Sequence, residues 1–80
     1  MLFRSNVNYN ATSSSLGDTG TVDDDGGNAV LDLEIIDTTG NDTGDAIEIT
    51  SADGSFDGSV TLQGISNFTN LGADNFNFSG

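Results

Sequence analysis

The sequence predicts an all-β fold of short, stacked strands, and three observations carry that prediction. Apolar and polar residues alternate at period two in several separate runs. No run shows the i, i+3, i+4 apolar spacing of a helix, and Gly, Asn, Asp, Ser and Thr, which favour turns and strands, dominate. Residues 31–50 also lie over residues 60–79 without a gap, 29 positions apart. Leu31, Leu33, Ile36, Ile47 and Ile49 then fall on Val60, Leu62, Ile65, Phe76 and Phe78, and Leu33/Leu62, Ile36/Ile65, Asn41/Asn70 and Asp45/Asp74 are identical pairs. A period between about 20 and 50 residues marks architectures in which each unit hides its apolar face on the next.

Taken in order, Met1-Leu2-Phe3-Arg4-Ser5 resembles the translation of a sequencing adapter. Residues 1–5 are therefore expected to be non-native, and the chain to be a metagenomic fragment. Residues 6–27 read as a short strand around Val7 and Tyr9 followed by a polar, acidic, Gly-rich linker. Residues 28–80 read as a two-repeat β-domain. Within it, Leu31, Leu33 and Ile35 alternate with Asp32 and Glu34, and Ile47 and Ile49 flank Glu48. Val60 and Leu62 flank Thr61, and Phe76 and Phe78 flank Asn77. The connectors carry Gly, Asn and Asp where the chain must turn.

Composition narrows the function. Thirteen acidic residues against one basic residue give a net charge of −12, a field that repels nucleic acid and anionic membrane surfaces and attracts cations. There is no cysteine for a disulfide and no histidine for zinc, haem or imidazole-assisted catalysis. No apolar stretch reaches the length of a membrane-spanning helix, and the N-terminus lacks a signal-peptide core.

The stretch GDAIEITSADGSFDGSVTLQGISNFTN resembles coils of right-handed parallel β-helices of the pectin-lyase-like and autotransporter-passenger type. That resemblance implies an extracellular β-helix or solenoid fragment, commonly of an adhesin or a carbohydrate-active enzyme. A rival stretch, VDDDGGNAVLDLEI, looks like the acidic turn and strand of Ig-like or cadherin-like bacterial surface repeats, which implies a β-sandwich. Both point to large secreted or cell-surface bacterial proteins.

Candidate ligands are oxygens. Asp53, Ser55 and Asp57 followed by Gly58 match the first half of a calcium loop, but Gly64 stands where a bidentate acid belongs, so a full EF-hand is excluded. The alternative is a tight polar turn. Asp23 and Asp25 form a second candidate calcium pair, with a solvated acidic linker as the alternative, while Asp42 and Asp45 read as a structural turn. The Asn-x-Ser/Thr triplets at Asn10, Asn41 and Asn67 read as composition. Without Trp, Cys or His, no catalytic constellation is visible, and the chain is expected not to be an enzyme. The sequence thus predicts a structural or adhesive repeat segment, stabilised by calcium. Its partners would be extracellular carbohydrate, other surface ligands and neighbouring repeats. The alternative is a non-catalytic coil of a β-helix carbohydrate-active enzyme, and acidity as adaptation to salt is a third reading.

Overall fold

The period-two runs become strands of a single sheet in the computed structural model, which describes residues 7–76 and 78. The strands are β1 (Val7–Asn10), β2 (Thr19–Asp24), β3 (Ala29–Ile36), β4 (Ala46–Ser51) and β5 (Ser59–Gln63). They lie side by side in chain order, and every neighbouring pair is antiparallel. The chain is all-β, but it is neither a parallel β-helix nor a two-sheet Ig-like sandwich. The connectors explain why. Parallel neighbours need crossovers of roughly a dozen residues or more, whereas Gly- and Asp-rich turns over 25–28, 37–45 and 52–58 send each strand straight back beside the last.

Register also overturns the repeat. Leu31 pairs with Val22 and Ser51, while Val60 pairs with Ile49, so Leu31 and Val60 stand on strands separated by β4. Across β4, Ile49 has Leu33 on one side and Val60 on the other, and Ile47 has Ile35 and Leu62. The equivalent positions of β3 and β5 are therefore offset by two residues less than the sequence alignment. A shift of two keeps every side chain on its own face, so the apolar positions of the two segments match in either register. The adhesive-repeat function and the β-helix-coil alternative fall with the stacked fold, as does the description of a solenoid calcium adhesin.

Two stretches changed character. The segment read as a linker contains β2, which bonds to both β1 and β3. Gly20 is required there, because a Cβ at this position would sit 2.8 Å from the Asn10 carbonyl oxygen and against Ala11. Phe76, read as part of a strand with Phe78, instead ends the second of two 3₁₀ turns, Phe68–Asn70 and Ala73–Asn75. Residues 1–5, read as adapter-derived, lie outside the described residues.

Pairing partners share a face, so the register sorts the side chains. One face collects Val7, Val22, Leu33, Ile35, Ile47 and Ile49, all buried. The C-terminal segment crosses this face and lowers Phe68, fully buried, into it, with Ile65, Leu71, Phe76 and Phe78 packed around. A strap of coil takes the place of a second sheet. Asn67 caps the first 3₁₀ turn by accepting from the Thr69 N–H at 2.9 Å, and the Phe68 N–H donates to the Ser13 carbonyl at 3.0 Å. The other face carries Asp32, Glu34, Glu48 and the threonines toward solvent.

Candidate functional site

The polar face is built by β2, β3 and β4. Asp32 and Glu34 alternate with buried Leu33, so both carboxylates leave β3 on the same side, roughly 6.6 Å apart along the strand. Asp32 lies between Thr21 and Thr50, and Glu34 between Thr19 and Glu48. Together with Asn10, these side chains line an open groove of about 450 Å³. Directly opposed residues in an antiparallel pair hold their Cβ atoms about 4.5–5.5 Å apart, and like charges there repel. Glu34 and Glu48 are such a pair. The described residues include no Lys, Arg or His to answer them.

At the rim of this face, Asp23 takes a 2.8 Å hydrogen bond from the Asn10 amide at Oδ2. Its Oδ1 is buried without a partner among the described residues.

Apart from Asp23, the ligands chosen from sequence spacing stand elsewhere. Asp53, Ser55 and Asp57 occupy the β4–β5 turn, and Asp25 the β2–β3 turn, at the same end of the sheet. Asp53 Oδ1 accepts from the Ser51 hydroxyl and the Ser55 N–H, both at 3.0 Å. The hydroxyl and amide of Ser55, with the Ser51 hydroxyl, hold its carboxyl below the usual aspartate range. Its Oδ1 thus serves the turn. Asp24, not Asp25, organises the neighbouring hairpin: its Oδ1 accepts from the N–H groups of Gly26 and Asn28, both at 2.9 Å. These bonds, that of Asn28 first, lower its pKa. Among the described residues, no group of three or more acids, Cys or His comes together to hold a metal.

At the opposite end, the β3–β4 loop contains an aspartate that spacing did not single out. Desolvation of Asp37 works toward a higher pKa. Even so, the N–H groups of Thr39, Asp42 and Gly40 and the Thr39 hydroxyl outweigh that effect and lower it. Asp42 adopts a left-handed φ of 62° as its N–H reaches Asp37 Oδ2 at 2.7 Å. Asp45 Oδ1 accepts from the N–H and hydroxyl of Thr38, while Oδ2 is buried without a partner among the described residues. The Thr38 bonds lower its pKa, and neighbouring Asp37 opposes them.

No family model, curated protein or solved structure matches this chain. The triplet asparagines are all engaged: Asn10 with Asp23, Asn41 with the Thr43 N–H, and Asn67 with Thr69. No helix among the described residues is long and apolar enough to cross a membrane. The groove acids were visible in the sequence only as the solvent side of alternating strands. Their convergence depends on cross-strand register, although the Asp32-x-Glu34 and Glu48 alternation was its available signal.

Proposed function

We propose that this chain is a non-enzymatic binding module that takes a cationic ligand on the acidic face of its sheet, outside the cell or at its surface. One observation carries the reading: Asp32, Glu34 and Glu48 line one groove, with Glu34 and Glu48 directly opposed across strands. A ligand cation relieves that repulsion and gains from the chain's −12 charge. Asn10, Thr19, Thr21 and Thr50 add hydrogen-bonding groups along the same groove. Non-enzymatic function is supported by the sequence, which contains no imidazole or thiol to activate those hydroxyls. The extracellular setting is supported by the acidic, Gly-, Asn- and Thr-rich composition.

Spermine, a flexible cation without a backbone, is the direct probe. The amides of Asp32, Glu34 and Glu48 are expected to shift on titration, with affinity falling as salt rises. A double Glu34→Gln, Glu48→Gln variant is expected to lose most of that binding. No perturbation of these amides overturns the reading, as does salt-insensitive binding of an uncharged oligosaccharide in their place. Calcium at Asp53, Ser55 and Asp57, or at Asp23 and Asp25, is a separate proposal supported by the oxygen donors of those segments. Calcium-dependent shifts confined to these amides would support it, and unchanged spectra at millimolar calcium would end it.

A further inference from the structure

The fifth strand ends the sheet, and nothing in the described residues pairs with its outer side. The direction of its backbone groups follows from the ladder. Ile35 receives the Gly17 N–H at its carbonyl and donates its own N–H to Asp18, so both of its groups point toward β2. The Gly64 N–H donates to the carbonyl of Asp45, the residue just before β4. Carrying this alternation through the register directs the N–H and C=O groups of Val60 and Leu62 toward β4. Those of Ser59, Thr61 and Gln63 then point away from the sheet.

Edge strands are usually blunted by charge, proline or a bulge. β5 has no charged residue and no proline, and its register with β4 is unbroken. On its apolar side Val60 is 51% exposed, and Phe56, just before the strand, is 38% exposed. On its polar side Thr61 lies directly beside Glu48, with Glu34 next beyond. This edge is therefore neutral and partly apolar, backed by the acidic groove.

We propose that β5 is a strand-addition site for an extended peptide that alternates apolar with Lys or Arg residues. The proposal deepens the reading of the acidic face and rests on it. Added antiparallel or parallel, such a peptide bonds the outward groups of Ser59, Thr61 and Gln63. Its apolar side chains cover Val60 and Leu62. Its basic side chains emerge on the polar face two strand spacings from Glu48, roughly 9.6 Å, within the Debye length of about 10 Å at 0.1 M salt and beyond that of about 8 Å at 0.15 M, so the attraction is strongest at low salt. Charge selects this occupant over a second copy, because two chains of net charge −12 repel.

The test is an amide-resolved titration of the full chain with an alternating Val-Lys octapeptide, an alternating Val-Glu octapeptide and spermine. The Val-Lys peptide is expected to bind and to protect the Ser59, Thr61 and Gln63 amides from hydrogen exchange, and the Val-Glu peptide not to bind. Thr61→Pro removes an outward donor without breaking a native ladder bond. It is expected to weaken the Val-Lys peptide about tenfold or more, the loss of roughly 1.4 kcal/mol or more, and to leave spermine binding unchanged. Val60→Lys, at an exposed position, is a second blocking variant with the same expectation. Val-Lys binding without edge protection, or with both variants at wild-type affinity, overturns strand addition while spermine binding upholds the acidic-face reading. Protection that grows with protein concentration in the absence of peptide shows a second copy on the edge and also overturns it. If neither spermine nor peptide binds, both readings fall.

Discussion

Tyr9 of the first strand stacks on Phe76 of the C-terminal segment, with ring centroids 5.9 Å apart and planes 23° from parallel. The Tyr9 hydroxyl donates a 2.5 Å hydrogen bond to the Phe68 carbonyl. One side chain thus ties the strap to the sheet through a ring contact and a backbone acceptor, next to the largest buried side chain of the core.

Tyr9→Phe keeps the ring and removes the hydroxyl, leaving the Phe68 carbonyl without this donor. Thermal or urea unfolding is expected to show a loss of about 1–2 kcal/mol. Tyr9→Ala, which also loses the stack, is expected to cost more. Desolvation raises the Tyr9 pKa. Its contribution is therefore complete below the unfolded tyrosine value and lost as pH climbs through the folded one. An ultraviolet phenol titration is expected to show the sole tyrosine ionising above the ordinary range.

Phe68→Ala empties the centre of the core. Large-to-small changes of this kind cost about 3–5 kcal/mol, a large share of the stability of a domain this small. Urea melts are expected to show the variant largely unfolded in water. Melting at the wild-type midpoint would show that the strap does not seat on the sheet.

Gly20→Ala is expected to destabilise although it adds only a methyl group. That methyl would meet the Asn10 carbonyl and Ala11, backbone and short side chain that cannot swing aside. Thermal unfolding checks this against Gly27→Asn as a turn control. Gly27 has a φ of 87° and nothing within 4 Å of an added Cβ, and Asn tolerates the left-handed region better than most residues.

Acid is expected to unfold the protein through its turns. Asp24, Asp37, Asp45 and Asp53 all have lowered pKa values, held mainly by turn N–H and hydroxyl donors. Their contribution is present above the unfolded aspartate pKa of about 3.9 and is lost as pH falls through the lower folded values. Stability measured from pH 6 downward is expected to hold until roughly pH 4 and then decline. Asp24→Asn and Asp37→Asn are expected to flatten the decline.

Glu34→Gln removes one member of the opposed acidic pair. Directly opposite like charges are destabilising, and a stabilisation of about 0.2–1 kcal/mol is expected, largest at low salt. Destabilisation by this variant, in the absence of ligand, would show that the two carboxylates do not face each other.

Strands β1, β3, β4 and β5 were legible in the sequence because a half-buried strand alternates whatever its partner is. β2 was not, because Gly20 interrupts its apolar side and Asp23 and Asp24 fill the end that a linker would also fill. The same generality of alternation misled the repeat reading, since β3 and β5 resemble each other by flanking the same strand. The turn aspartates were legible as polar oxygens at loop spacing. Whether those oxygens face a ligand or their own loop is decided by loop geometry, and Asp53 and Asp24 each turn Oδ1 to donors of their own turn. The groove required the pairing of Glu34 with Glu48, information that neither strand contains alone.

Cross-strand Hα–Hα contacts measured by nuclear Overhauser spectroscopy test the single meander most directly. Close contacts are expected between Glu48 and Thr61 and between Leu33 and Ile49. In-register contacts of Leu31 with Val60 and of Leu33 with Leu62, with the Glu48–Thr61 contact missing, would contradict the sheet and the acidic face built on it.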